Sequence, residues 1–172
     1  MLRYYAGIGS RATPEDILSL MKKLAWKLSQ DGYFLRSGDA KGADQAFRNN
    51  AAYKEIFKSE DAEPWAYEEV KKYLPNDRKG FDYWKPYVKG LLARNMMQVL
   101  GRSGDKPIDF VICWTRSTYY EDSSSGGTGY AIRCALARNI PIYNLVIEKD
   151  LNRCKQYMAG DIKVLNLAVG GA

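Results

Sequence analysis

Short apolar runs alternate with longer amphipathic segments along most of the chain. The short runs predict β-strands, and the segments with apolar residues at helical spacing predict α-helices. The predicted strands are residues 3–8, 33–36, 55–58, 108–114, 141–146 and 163–167. The predicted helices are residues 14–31, 42–52, 65–74, 87–100, 129–138 and 151–158. This alternation predicts an α/β fold with a doubly wound, mostly parallel sheet and helices on both faces.

Local signals support the first predicted helix and the central strand. Thr13 is the expected N-cap residue, Pro14 fits the first helical position, and Gly32 ends the helix. The run 108–114 is apolar without interruption, as is typical of a parallel strand covered on both faces. Because a doubly wound sheet binds ligands beyond the carboxyl ends of its strands, the turns at those ends are candidate sites.

Three glycine-rich turns, residues 7–11, 36–44 and 123–129, follow predicted strands and precede predicted helices. The exposed backbone N–H groups at a helix N-terminus form a ready-made site for an anion. Gly7 and Gly9 allow the backbone of the first turn to approach a phosphate closely. The third turn supplies the consecutive N–H groups of a phosphate nest, with a flexible linker as the alternative interpretation. Together the turns predict a phosphate-binding crevice.

Polar side chains of the first two turns add hydrogen-bonding groups to this predicted crevice. Ser10 and Arg11 provide side-chain donors, and Lys41 lies at the entry of the second helix. Asp39 or Asp44 can accept a hydrogen bond from a ribose hydroxyl, although each can equally cap the helix. The sequence leaves these two roles open.

Further candidates lie outside the turns. Arg94 and Asn95 stand beside the apolar side of the fourth predicted helix, where Arg94 is either a ligand contact or an ordinary surface residue. Trp65, Trp84 and Trp114 can stack on a base, although aromatic residues in this number mostly form core. The predicted ligand-binding residues are Gly7, Gly9, Ser10, Arg11, Arg36, Ser37, Gly38, Asp39, Ala40, Lys41, Gly42, Asp44, Arg94, Asn95, Thr115, Gly126, Gly127, Thr128 and Gly129.

The composition excludes several kinds of catalytic and metal site. The chain has 172 residues, no histidine, and three cysteines without a CxxC pair. A Ser-His-Asp triad, a Cys-His dyad and a structural zinc site are therefore not expected, and Cys113 is expected to be a buried free thiol. The net charge of +6 suits an anionic ligand or nucleic acid, with a generic solvated surface as the alternative. We expect one domain, residues 1–172.

The sequence gives no sign of secretion or of membrane insertion. Its start lacks the basic flank and apolar stretch of a signal peptide. No apolar run approaches the roughly 20 residues that span a bilayer. We therefore expect a cytoplasmic protein without a membrane partner. The apolar helix faces allow a homodimer or a higher homo-oligomer.

The ordered motifs resemble the DprA/Smf-type Rossmann-like domain. The motifs are Tyr5–Arg11, Leu35–Asp44, Ala93–Asn95, Asp109–Thr115 and Gly126–Gly129. More narrowly, the chain is similar to small DprA-like proteins of bacteriophages, within the SLOG group of nucleotide-binding domains. The resemblance implies a cytoplasmic protein whose pocket takes a phosphate-bearing ligand. In DprA that pocket binds single-stranded DNA, and DprA loads a recombinase. The flanking domains of DprA are not seen in this sequence, which leaves recombinase loading open.

The same superfamily contains the LOG-type phosphoribohydrolases, which use a glutamate in a PGGxGTxxE motif. The position of that glutamate is Arg133 here, the proline before the glycines is replaced by Ser125, and the threonine after them is replaced by Tyr130. Because the acid that promotes glycosidic cleavage is missing, this hydrolysis is not expected.

Three functions follow from these features. The leading hypothesis is a non-enzymatic binder of a nucleotide or of single-stranded DNA, with no cofactor, metal or catalytic residue. The second keeps the pocket but assigns it a small signalling nucleotide, such as an ADP-ribose derivative, sequestered for a phage. The third is a nucleotide-processing enzyme, in which Glu121 and Asp122 are the preferred acid–base pair.

Overall fold

The computed structural model describes residues 2–165, and within them five strands form one all-parallel sheet. The strand order is β3-β2-β1-β4-β5. The strands are β1 Arg3–Gly7, β2 Tyr33–Gly38, β3 Lys54–Phe57, β4 Phe110–Cys113 and β5 Ile142–Asn144. The α-helices are α1 Glu15–Gln30, α2 Ala43–Arg48, α3 Pro64–Val70, α4 Pro86–Leu100, α5 Thr128–Ala137 and α6 Glu148–Ala159. Short 3₁₀ turns are Ser59–Asp61, Lys71–Tyr73, Phe81–Tyr83 and Ser123–Ser125.

Side chains of the central strands alternate between two cores, one on each face of the sheet. Tyr5 of β1 and Phe110 of β4 pack with apolar residues of α1, α2 and α6. Ala6 and Val111, the next residues along, pack with residues of α3, α4 and α5. This alternation follows from the two-residue period of a strand and confirms the predicted doubly wound sheet with helices on both faces.

The start of α1 differs from the sequence prediction. Pro14 occupies the N-cap position, and the helix begins at Glu15. The hydroxyl of Thr13 donates to the carbonyl oxygen of Ser10 at 2.6 Å, so Thr13 closes the β1–α1 turn and does not cap the helix. The end of α1 is confirmed, since Gly32 follows it with a φ of +87°.

Two of the elements that are shorter than predicted end where a backbone N–H donates to a side chain of another segment. After α2 the N–H of Ala52 donates to the hydroxyl of Ser29 on α1, at 2.9 Å, which draws residues 49–52 out of the helix. The strand predicted over residues 141–146 ends at Asn144, whose N–H donates to the carboxylate of Asp150 at 3.0 Å.

The C-terminal part of the chain only partly follows the prediction. The predicted helix 151–158 is α6 and begins three residues earlier, at Glu148. Of the predicted strand 163–167, residues 163–165 form no strand, and residues 166 and 167 lie outside the described residues. Cys113, Cys134 and Cys154 are buried free thiols, as expected for Cys113. None of the helices in residues 2–165 is long and apolar enough to cross a membrane.

Candidate ligand-binding crevice

A crevice of about 450 Å³ opens at the edge of the sheet where β1, β2 and β4 end. Its volume falls within the range usual for small-ligand sites. Six segments supply its walls: the β1–α1 turn, the β2–α2 turn, the start of α2, α4, the loop after β4 and the start of α5. The lining residues are Ile8, Gly9, Ser10, Arg11, Ala40, Asp44, Val88, Leu91, Leu92, Arg94, Asn95, Gln98, Arg116, Ser124, Ser125, Gly126, Gly127 and Thr128.

About half of the predicted ligand-binding residues line this crevice, and the others do not. Those that line it are Gly9, Ser10, Arg11, Ala40, Asp44, Arg94, Asn95, Gly126, Gly127 and Thr128. Those that do not are Gly7, Arg36, Ser37, Gly38, Asp39, Lys41, Gly42, Thr115 and Gly129.

The first two glycine turns lie directly against each other at Gly42. This residue has a φ of +80°, and a Cβ atom placed on it would lie 2.9 Å from both the Cα of Arg11 and the carbonyl oxygen of Ser10. Since a side chain here would meet backbone, only glycine allows this contact. The backbone of Ser10 is also bonded on its other side, where its N–H donates to the carbonyl oxygen of Trp114 at 3.1 Å. The turns after β1, β2 and β4 are thus held as one unit.

Arg94 is the central cation of the crevice wall and is only 6% exposed. Its Nη1 donates to the carbonyl oxygen of Phe57 at 2.8 Å and lies 3.6 Å from a carboxylate oxygen of Asp39 and 3.9 Å from one of Asp44. Gly38 makes room for this guanidinium, because a Cβ atom there would lie 1.6 Å from Nη1. Asp39 and Gly38 therefore act on the crevice through Arg94, although neither lines it.

Asp44 is the one carboxylate that lines the crevice within residues 2–165. Burial disfavours its ionised form and raises its pKa from 3.8 to about 6, against the opposing effects of Arg94, Arg48 and the neighbouring backbone N–H groups. Asp44 lies 3.9 Å from Nη1 of Arg94, and the attraction of the guanidinium offsets only part of the cost of removing the carboxylate from water. With a pKa of about 6, the carboxylate gains its proton as the pH falls through that value.

The start of α5 presents free donors to the crevice. No acceptor among the described residues is bonded to the backbone N–H groups of Gly127 and Thr128. The peptide of Gly127 is fixed from behind, since the Asn95 side-chain amide donates to its carbonyl oxygen at 3.0 Å. The hydroxyl of Ser125, a buried residue of the same turn, also has no partner in the described part of the chain. Such an arrangement attracts an anion, because the helix dipole adds to the free N–H groups.

Two arginines stand at the mouth of the crevice. Arg11 follows β1, Arg116 follows β4, and both side chains are exposed. Neither makes an ion pair with a carboxylate of residues 2–165. Together with Arg94 they place positive charge on three sides of the crevice.

Several predicted ligand contacts have structural roles in the sheet. Arg36 is 1% exposed, its guanidinium lies 4.0 Å from the centre of the Tyr4 ring, and it bonds to Glu55 and to the carbonyl oxygen of Lys106. The hydroxyl of Ser37 donates to the carbonyl oxygen of Gly7 at 2.6 Å and ties β2 to β1.

Thr115 and Gly129 shape the crevice from behind. The hydroxyl of Thr115 accepts from the side-chain amide of Asn144 at 2.6 Å, which fixes the loop after β4 to β5. A Cβ atom on Gly129 would lie 2.0 Å from the hydroxyl oxygen of Ser125, so glycine leaves the space that Ser125 occupies. Lys41 is exposed, and its side chain makes no hydrogen bond or ion pair with a described residue.

The acid–base pair considered from the sequence does not reach the crevice. Glu121 accepts from the hydroxyl of Tyr119 at 3.1 Å, and Asp122 accepts from the N–H of Ser124 at 2.9 Å, so both organise their own loop. Arg133 lies behind the turn, where it donates to the carbonyl oxygens of Tyr73 and Tyr120. Within residues 2–165, no three acidic or cysteine side chains are grouped closely enough to hold a metal ion.

Sequence reasoning missed an apolar wall and one arginine of the crevice. The apolar residues Val88, Leu91 and Leu92 belong to a helical stripe that is typical of core packing, so their sequence carries no signal for a site. Arg116 could have been found, because it follows a central strand at the edge where such sheets bind ligands. The unbonded hydroxyl of Ser125 depends on tertiary packing and has no sequence signal.

Comparison with known proteins supports the fold. A search of solved structures finds DNA processing protein A from Helicobacter pylori, whose structure was described for its single-stranded DNA binding mode. The match has a TM-score of 0.60 at 16% identity and covers 94% of this chain and 80% of that chain. Models of protein families and curated protein sequences give no match. The chain thus has a DprA-like α/β fold, as the ordered motifs implied.

Proposed function

We propose that this protein binds a phosphate-bearing ligand, a nucleotide or single-stranded DNA, in the crevice at the carboxyl edge of its sheet. The proposal rests on one observation: the free N–H groups of Gly127 and Thr128 line the same crevice as the buried guanidinium of Arg94. A phosphate accepts from both kinds of donor, and charge-assisted hydrogen bonds are the stronger kind. Val88 and Leu92 provide an apolar wall for a sugar or base.

The structural neighbour supports the nucleic-acid form of this proposal, since the protein from Helicobacter pylori is described as binding single-stranded DNA. The narrower resemblance to bacteriophage DprA-like proteins of the SLOG group stays a prediction, supported by the order of the motifs. Binding without catalysis is the simplest function for this site, because Asp44 is the one carboxylate that lines it in the described part of the chain.

The proposal predicts salt-dependent binding of single strands through the two exposed arginines. Substitution of both Arg11 and Arg116 by serine should weaken binding of an oligothymidylate about tenfold at low salt. The slope of log K against log salt should fall by about 1.4, since each phosphate contact on a single strand contributes about 0.7. Fluorescence anisotropy across a salt series measures both quantities.

Arg102→Ser is the control for position, since Arg102 is exposed and follows the C-terminal end of α4, outside the crevice, where it lies 3.9 Å from the carboxylate of Glu63. It should leave the slope unchanged. Absence of binding by the unmodified protein at low salt would overturn the nucleic-acid form of the proposal.

A mononucleotide-sized ligand is the second candidate, favoured by the crevice volume of about 450 Å³. A small signalling nucleotide such as an ADP-ribose derivative would fill such a space. Thermal-shift measurement against a nucleotide panel tests this, because a ligand at 100 times its Kd stabilises a protein by about 2.7 kcal/mol. If oligonucleotides raise the Tm and no small nucleotide does, this second candidate is wrong.

Binding should strengthen as the pH falls from about 7.5 to about 5.5, because Asp44 has a pKa of about 6. Below that pH its neutral carboxyl no longer repels a phosphate beside Arg94. A strand without a terminal phosphate is required, since a terminal phosphate itself titrates near pH 6. The sequence has no histidine whose ordinary pKa would mimic this effect.

Asp44→Asn should remove this pH dependence, and a Kd that is flat with pH in the unmodified protein would contradict the role of Asp44.

The same pKa shift affects stability. The folded protein holds the proton more tightly than the unfolded chain, so the contribution of Asp44 to the free energy of unfolding rises as the pH falls from about 6 to about 4.

A further inference from the structure

A second groove, of about 470 Å³, opens beside the crevice across the Gly126–Gly127 turn. The two spaces share walls: Val88, Leu92, Gly126 and Gly127 line both. A ligand held at the start of α5 can therefore extend from one space into the other without leaving the surface.

Aromatic rings form one side of this groove. Tyr83 lies at the end of the 3₁₀ turn Phe81–Tyr83 and is 93% exposed, next to Trp84. The turn is fixed from below, because Phe81 is buried and its ring centre lies 5.5 Å from that of Trp84. The indole N–H of Trp84 donates to the carbonyl oxygen of Lys79 at 3.2 Å. The rings of Phe81 and Trp84 are thus held in place, while Tyr83 is open to solvent.

The charge of the groove is positive. Arg78 and Lys85 line it, and neither forms an ion pair with a described carboxylate. The carboxylate of Asp77, the residue before Arg78, accepts hydrogen bonds from the N–H and the hydroxyl of Ser123 and forms no ion pair with Arg78. Exposed rings together with cations along a groove are the combination that binds single strands, because every base has a face that stacks.

We propose that this groove stacks a base of a single-stranded nucleic acid whose phosphate lies in the crevice. The inference rests on the proposed function and narrows its ligand to a strand of more than one nucleotide. Tyr83 supplies the open stacking face, and the cations Arg78 and Lys85 bind the next phosphates of the strand. A duplex cannot use the groove in this way, since the faces of its bases are already stacked on one another.

The experiment separates the bases of the strand from its phosphates. Tyr83→Ala is compared with the unmodified protein on an oligothymidylate of about 12 nucleotides, a length usual for single-strand binders, and on an abasic strand of equal length. We expect the variant to bind the oligothymidylate roughly 10-fold more weakly and the abasic strand equally well. Because Tyr83 is almost fully exposed, the variant should keep its Tm.

Tyr53→Ala is the matched control, since Tyr53 is 53% exposed but precedes β3 at the opposite edge of the sheet. It should change neither affinity. An equal loss on both strands, or no loss on either while the unmodified protein binds, would overturn the stacking role and leave the proposed function standing. Absence of strand binding by the unmodified protein would overturn both.

Discussion

Substitution of Arg94 by methionine is expected to weaken the binding of an oligothymidylate by about 100-fold. Arg94 is buried, so water screens its charge little, and its Nη1 is fixed by the carbonyl oxygen of Phe57 at 2.8 Å. A phosphate in the crevice would meet a preorganised cation that needs no side-chain ordering on binding. Methionine keeps much of the volume but removes the charge and every donor. Anisotropy titration at low salt measures the loss.

Arg36→Met is the matched control for this prediction. Arg36 is equally buried and carries the same charge, but it lies within the sheet against Tyr4 and does not line the crevice. We expect it to lower the Tm and to leave the affinity of the folded protein unchanged. If the two variants weakened binding equally, long-range charge and not position in the crevice would explain the affinity.

Gly38→Ala tests the same cation without removing it. A Cβ atom at Gly38 would lie 1.6 Å from Nη1 of Arg94 and 2.5 Å from a carboxylate oxygen of Asp44, so the guanidinium has to move. The affinity should fall, though less than in Arg94→Met, because the charge stays near the crevice. An unchanged affinity would show that the position of the guanidinium is unimportant.

The fold could be predicted from the sequence because its signals are local. The three strands at the centre of the sheet, β1, β2 and β4, each contain at least three consecutive apolar residues, and each long helix has apolar residues at helical spacing. The boundaries failed where a side chain bonds to a distant segment. Thr13 has the chemistry of an N-cap residue, but its hydroxyl donates its hydrogen bond to the carbonyl oxygen of Ser10. A competition of this kind is decided by tertiary structure and leaves no trace in the local pattern.

The position of the crevice could also be predicted, because parallel strands bring their carboxyl ends to one edge. Which side chains line the crevice could not be predicted. Arg36 and Ser37 are neighbours on β2 and so face opposite sides of the sheet, and the sequence does not show that both faces are covered there. The apolar stripe of α4 has the same appearance whether it lies in a core or, as for Val88 and Leu92, also borders a crevice.

Gly42→Ala is expected to lower the free energy of unfolding by about 3 kcal/mol or more, since two costs add. Gly42 has a φ of +80°, which strains any residue with a Cβ atom. The new Cβ would also lie 2.9 Å from backbone atoms of Ser10 and Arg11, and backbone cannot rotate away as a side chain can. The β1–α1 turn would have to shift, which should weaken phosphate binding as well. Urea denaturation followed by circular dichroism measures the loss.

Gly160→Ala measures the cost of an ordinary left-handed residue without any contact. Gly160 ends α6 with φ +82° and ψ +6°, whereas Gly42 has φ +80° and ψ −123°, and no atom lies within 4 Å of the position of the missing Cβ of Gly160. This variant should therefore lose only about 1 kcal/mol, from backbone strain alone, and should bind the oligothymidylate normally. Equal losses in the two variants would mean that the first two glycine turns separate at little cost. The larger loss at Gly42 is expected because the contact between those turns is what holds Ser10 and Arg11 at the crevice.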